Sequence, residues 1–164
     1  MNFEDMPDGY ANLWGKAALR PERAAAATAI ARKLAKNRDR YALAASWVGN
    51  CPWWWVAAVH ELEVGASFTK HLHDGDPLVR RTIHVPAGRP ILGTPPFTWE
   101  ESAADALKMH HLQAVPAWTL PRCLYEWERY NGFGYVAKKI NSPYVWSFTT
   151  LVLLSVLLKT LGLV

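Results

Sequence analysis

One segment constrains the fold more than any other: Pro52-Trp-Trp-Trp-Val-Ala-Ala-Val-His-Glu-Leu-Glu-Val64, closed by Gly65. Proline suits a first helical turn because that turn leaves amides without intrahelical partners, and glycine suits the left-handed residue that ends a helix. Apolar residues fill every face of the segment, so it is expected to be a buried central helix. At 164 residues the chain is long enough to bury such a core within one domain.

The helix ends on two carboxylates, Glu61 and Glu63. A carboxylate there faces the negative end of the helix dipole, and apolar neighbours desolvate it. Both effects raise its pKa, as a general acid working near neutral pH requires. Two positions apart, the side chains point about 200° from one another, so one is expected to face solvent and the other a cleft. The ordinary alternative is a solvated helix end with no chemistry.

Helix signals dominate elsewhere. Pro21 opens an Ala-rich stretch running from Glu22 to Lys36, Asn37 reads as a break and a new cap, and Arg38 to Val48 follows. Thr98-Trp-Glu-Glu101 is a capping box that starts a helix reaching about His111. Thr119 with Pro121 starts another, ending near Asn131-Gly132, and the apolar stretch from Pro143 reads as helical. Residues 65–97 carry too many Gly and Pro residues for a helix. There Arg81–Val85 is expected to pair with Pro90–Leu92 as a small hairpin inside a long functional loop.

Net charge is +4, which favours anionic partners. The basic residues form no stripe interleaved with aromatics, so nucleic acid is not expected as a partner. Cys51 and Cys123 lack the spacing of a disulfide framework or a zinc site and are expected to be buried thiols. His71-Leu-His73-Asp-Gly-Asp76 offers metal-ligand types. It lacks further spaced ligands, and the alternative is a turn whose Asp and His side chains bond the backbone. No metal and no cofactor are therefore expected. His60-Glu61 opens like a metalloprotease helix, but Val64 stands where the second histidine would be.

Four runs carry a family likeness: His71-Leu-His-Asp-Gly-Asp-Pro-Leu78, Thr82-Ile-His-Val-Pro-Ala-Gly-Arg-Pro90, Pro95-Pro-Phe-Thr-Trp-Glu-Glu-Ser102 and Glu128-Arg-Tyr-Asn-Gly-Phe-Gly-Tyr135. In this order they resemble phage and bacterial lysozyme-like muramidases and endolysins, over roughly Asn2 to Trp146. The resemblance implies a mainly α (α+β), lysozyme-like fold, a helical domain with a small β-hairpin next to the active-site cleft. It implies that the glutamate closing the central helix is the catalytic acid, and its register selects Glu63 over Glu61. Family members typically read Arg-Glu-Ser where this chain reads Leu62-Glu63-Val64, which removes a serine hydrogen bond beside the acid. Tyr130-Asn131-Gly132 is similar to a Tyr-Asn element near the cleft of lytic transglycosylases.

The activity so implied is cleavage of the β-1,4 bond between N-acetylmuramic acid and N-acetylglucosamine, with peptidoglycan strands as partner. Glu63 is the expected acid, Asp76 or Asp74 the second carboxylate, and Tyr130, Asn131, His73 and Trp54 the groove lining. Hydrolysis needs that second carboxylate, whereas a lytic transglycosylase uses one glutamate and the sugar's own hydroxyl. A non-catalytic wall-binding or membrane-active protein is the remaining alternative. Residues 1–147 are read as the catalytic domain and 148–164 as an apolar C-terminal helix. That helix either packs on the domain or contacts a membrane. A monomer is expected. The N-terminal MNFEDMPDGY has no apolar run, so no standard signal peptide is read. The protein is expected to be made in the cytoplasm and to reach the wall after release.

Overall fold

The computed structural model of the chain describes residues 2–3 and 7–151. Their helices are α1 (Pro7–Lys16), α2 (Pro21–Ala35), α3 (Arg38–Ser46), α4 (Trp53–Val64), α5 (Trp99–Met109), α6 (Leu120–Asn131), α7 (Gly134–Ala137) and α8 (Pro143–Trp146), with a 3-10 turn at Leu112–Ala114. The chain clusters into two compact units, Arg32–Trp118 and the pair of segments Met1–Ala31 with Thr119–Val164.

In the Arg32–Trp118 unit, α3 packs against both α4 and α5. The buried side of α4 is Trp55, Val56, Ala57, Val59 and His60. Burial on every face, expected from composition, is not met: Trp54 and Leu62 lie off the buried side, and Glu63, in line with Val59 and His60, is exposed in the last turn. Gly65 ends α4 at φ 63°, the left-handed conformation that only glycine adopts without a Cβ penalty. Lys33 closes the same end. Its Nζ donates to Glu61 Oε2 at 2.7 Å and to the Gly65 carbonyl at 2.9 Å, placing a cation at the negative end of the dipole.

An aromatic cluster fills the space between these helices. Tyr41 meets Trp99 edge-on at 5.4 Å, and His60 lies 4.4 Å from Trp99 and 4.8 Å from Phe68, measured between ring centroids. His60 is fully buried. Burial lowers its pKa to about 4, so the neutral ring accepts from the Tyr41 hydroxyl at Nδ1 (3.0 Å) and donates from Nε2 to the Ser67 carbonyl (3.2 Å).

The hairpin expected at Arg81–Val85 and Pro90–Leu92 does not form. A ladder needs free backbone donors, and here side chains take them. Asp76 Oδ2 accepts from the amides of Ile83 (2.7 Å) and His84 (3.2 Å), and Thr82 Oγ1 accepts from the amide of Arg89 (2.9 Å). Pro86 and Pro90 bring no amide at all. The segment is instead a long loop stapled to α5. His71 Nδ1 meets Ser102 Oγ at 2.7 Å and His73 Nε2 meets Asp105 Oδ2 at 2.9 Å, the two α5 residues lying one turn apart.

Thr98 and Glu101 form the capping box read from the sequence, each side chain accepting from the other's amide. Removing the hydroxyl in Thr98→Ala is expected to destabilise the fold by about 1 kcal/mol, read as a lower denaturation midpoint. An unchanged midpoint would mean that α5 is held by packing alone.

The other unit packs α1 on α6 and α6 on α8 around Tyr10, Leu124, Tyr125 and Trp146. Within α6, Glu126 is fully buried and held by Arg122 (2.7 Å) and Arg129 (2.6 Å). Thr119 caps this helix through the Arg122 amide, and the chain leaves it at Gly132. The apolar stretch from Pro143 begins as α8, which ends at Trp146. Phe148 has φ 65°, Thr149 bridges Leu19 in antiparallel fashion, and the Thr150 amide donates to the Ala18 carbonyl at 2.9 Å. Residues 152–164, which carry most of the expected helix, lie outside the described residues. Among the described residues no helix is long and apolar enough to cross a membrane. Cys51 and Cys123 are buried free thiols, as expected.

Candidate functional site

Glu63 sits in the last turn of α4, exposed, while Glu61 is drawn into the ion pair with Lys33. The two carboxylates thus part as their spacing requires. The desolvation expected around Glu63 is absent: it lies in line with the buried Val59 and His60, but in the last turn of α4, where it is exposed. Trp54 on the same helix keeps 41% of its surface exposed.

The Asp74-Gly75-Asp76 turn comes up against this helix end. A Cβ built on Gly75 would stand 3.6 Å from Cγ1 of Val64, the residue after Glu63. Gly75 also has φ 84°, so the turn needs glycine for its backbone. Sequence neighbours of the acid and both candidate partners therefore meet in one unit.

The two aspartates differ in what their oxygens do. Asp76 is buried and committed: Oδ2 accepts from the Ile83 and His84 amides, and Oδ1 meets His84 Nδ1 at 2.7 Å. The Ile83 amide is the chief reason that its carboxyl is held well below the usual range. Such a carboxylate is a poor proton acceptor. Asp74 uses Oδ1 to accept from the Asp76 amide at 2.9 Å, while its Oδ2 is buried with no partner. Burial, aided by the charge of Asp76, pushes the Asp74 carboxyl up. Environments that drive neighbouring carboxyls apart in this way separate acid and base roles.

His73 does not line a groove. Its side chain is 0% exposed, bonded to Asp105, with its pKa lowered by burial. His71 is likewise buried and bonded at both nitrogens, to Ser102 Oγ and the Arg80 carbonyl. The turn reading of this motif, side chains bonding backbone, describes the segment. Among the described residues, ligand-type atoms converge instead at Asp74, Asp76 and His84, within 4.8 Å of one another. Amides and the imidazole satisfy Asp76 there, while Asp74 Oδ2 is left without a partner.

Tyr130 and Asn131 close α6 in the other unit, Tyr130 half-buried and Asn131 exposed. Asn131 lines a cavity of about 290 Å³ with Tyr135 and Lys138.

Comparison with protein-family models, with curated proteins and with solved structures finds no match.

A second acidic group was not foreseen from the sequence. Glu128 on α6 is 2% exposed and lines a cavity of about 430 Å³ formed by α1, α6, the segment after α7, and α8. Burial raises its pKa to about 7, against the pull of a hydrogen bond from Ser142. Its Oε1 is buried and has no partner. The signal was present in the spacing: Glu128 lies four residues after Leu124, on the buried stripe of a helix read only as an element.

Proposed function

We infer that the chain is a peptidoglycan-cleaving glycosidase of the muramidase type, with Glu63 as general acid. The observation that carries this reading is the meeting of the exposed helix-end acid with the Asp74–Asp76 turn, through Val64 and Gly75. The motif resemblance agrees with it: the same turn belongs to one of the four lysozyme-like runs, and Glu63 holds the register of the family's acid. Glu63 protonates the leaving glycosidic oxygen, while Trp54, in line with Glu61 two turns later, stands on the opposite side of α4. Asp74, the carboxyl that burial pushes up, is the better second carboxylate, and Asp76 holds the loop. The deciding test is turbidity loss of purified peptidoglycan, comparing the parental protein with Glu63→Gln.

One observation favours a lytic transglycosylase as second reading. Asp76 has both oxygens engaged and Asp74 Oδ2 is buried, so neither offers a free exposed oxygen to activate water. A one-glutamate mechanism needs no such group. Mass spectrometry of the products separates the two, since 1,6-anhydro ends appear only with the transglycosylase.

A further inference from the structure

The cavity over Glu128 has the marks of a built binding site within one unit. Two of its lining groups are almost fully buried yet lack hydrogen-bond partners: Tyr10 Oη, on a residue 4% exposed, and Glu128 Oε1, on a residue 2% exposed. A buried polar atom left unpaired destabilises a fold, and native proteins keep few of them. Two that border the same space point to a ligand that satisfies both.

The chemistry of the pair narrows the ligand. Burial, reinforced by the charge of Glu128, pushes the Tyr10 phenol far above its ordinary value, so it stays protonated and donates. Glu128 Oε1 accepts from a donor. With Glu128 ionised, the ligand therefore offers both an acceptor and a donor, as a secondary amide does through its C=O and N–H. Leu13, Ile140 and Trp146 supply apolar wall for a methyl group and a ring face. Glu128 and Lys139 both line the space, so neither a strong anion nor a strong cation is selected. A volume of about 430 Å³ holds one or two sugar-sized rings.

We propose that this cavity binds the acetamido group of an N-acetylhexosamine, with Tyr10 donating to its carbonyl and Glu128 accepting from its N–H. The need for a paired donor and acceptor follows from the cavity, while the choice of an acetamido sugar among neutral amides rests on the glycan-cleaving reading.

The test is a titration of the full-length protein with N-acetylglucosamine, followed by isothermal calorimetry or by chemical shifts of labelled protein. Saturable binding is expected, with a Kd on the order of millimolar for a single sugar. Glucose, which lacks the acetamido group, binds at least about tenfold more weakly, and Tyr10→Phe weakens N-acetylglucosamine by about tenfold, the worth of one hydrogen bond. In Glu128→Leu binding is lost while the protein stays folded, because the lost bond to Ser142 is offset by removing a buried acid with one unpaired oxygen. Should Tyr10→Phe fail to fold, the chemical shifts of the parental protein still decide, since binding in the cavity must perturb Leu13, Ile140 and Trp146. The proposal is overturned by absent N-acetylglucosamine binding, by equal binding of glucose, or by full affinity in folded Tyr10→Phe. Wall cleavage that depends on Glu63 alongside absent binding retires the cavity alone. Binding as expected alongside Glu63-independent wall clearance retires the enzymatic reading alone.

Discussion

Glu63→Gln is expected to lower the rate of wall clearance by a factor of about 10² to 10⁴, the usual contribution of a positioned general acid. The substitution keeps the size of the side chain and its place in the last turn of α4, and removes only the proton to be given. Because Glu63 is exposed, its stability effect should stay within about 0.5 kcal/mol, so lost activity will not be a folding artefact. Glu61→Gln is the matched control. It weakens the partly exposed ion pair to Lys33, worth at most about 1 kcal/mol, and leaves clearance near the parental rate. Parental clearance in a folded Glu63→Gln protein would sink the assignment. Clearance lost in Glu61→Gln instead would mean that the register chosen by resemblance was wrong.

Local elements were legible in the sequence where one residue type has one strong physical role. Gly65, the Thr98–Glu101 box, Thr119 with Pro121, and Gly132 all mark helix ends where expected, because caps are decided within a single turn. Long-range competition was not legible. Arg81–Val85 alternates like a strand, yet Asp76, at least five residues away, takes the amides of Ile83 and His84 that a ladder would need. Nothing in the spacing announces that a carboxylate will win those donors. The same holds for His73, which looks like a groove residue beside two aspartates and is claimed by Asp105, 32 positions further on. In the candidate site, the parting of Glu61 from Glu63 was readable from helical geometry alone. The exposure of Glu63 was not, since the buried Val59 and His60 lie on its own face and only the extent of covering along α4 leaves its last turn open. Glu128 was hidden for a related reason: a charged residue on a buried stripe is visible only once the stripe is known.

The His60 contribution to stability should fall as pH drops from about 6.5 to about 4. It acts against an opposite contribution from Glu128, whose raised pKa of about 7 lets the folded chain take up a proton before the unfolded one does. The folded pKa of His60 is lowered to about 4 by burial among Tyr41, Phe68 and Trp99, while an unfolded histidine titrates near 6.5. Between those values the unfolded chain binds a proton that the folded chain refuses, so unfolding gains free energy as pH falls. The stabilisation is fully present above about 6.5, is lost through the window, and changes no further below about 4. Its size is about 3 kcal/mol, a large share of the 5–15 kcal/mol typical of a folded domain. His73, also lowered by burial, acts in the same direction. The geometry explains why the ring resists charging. Nδ1 accepts from the Tyr41 hydroxyl, and a second proton there would set donor against donor. Urea denaturation at pH 7, 5.5 and 4 measures the slope, and the histidine ring resonances report the titration itself. In His60→Gln, which keeps a donor and an acceptor but does not titrate, the acid-side loss disappears, so stability relative to the parental protein rises by about 3 kcal/mol between pH 7 and 4. A stability difference between parental and His60→Gln protein that stays constant from pH 7 to 4 would show that the ring does not couple this fold to acid.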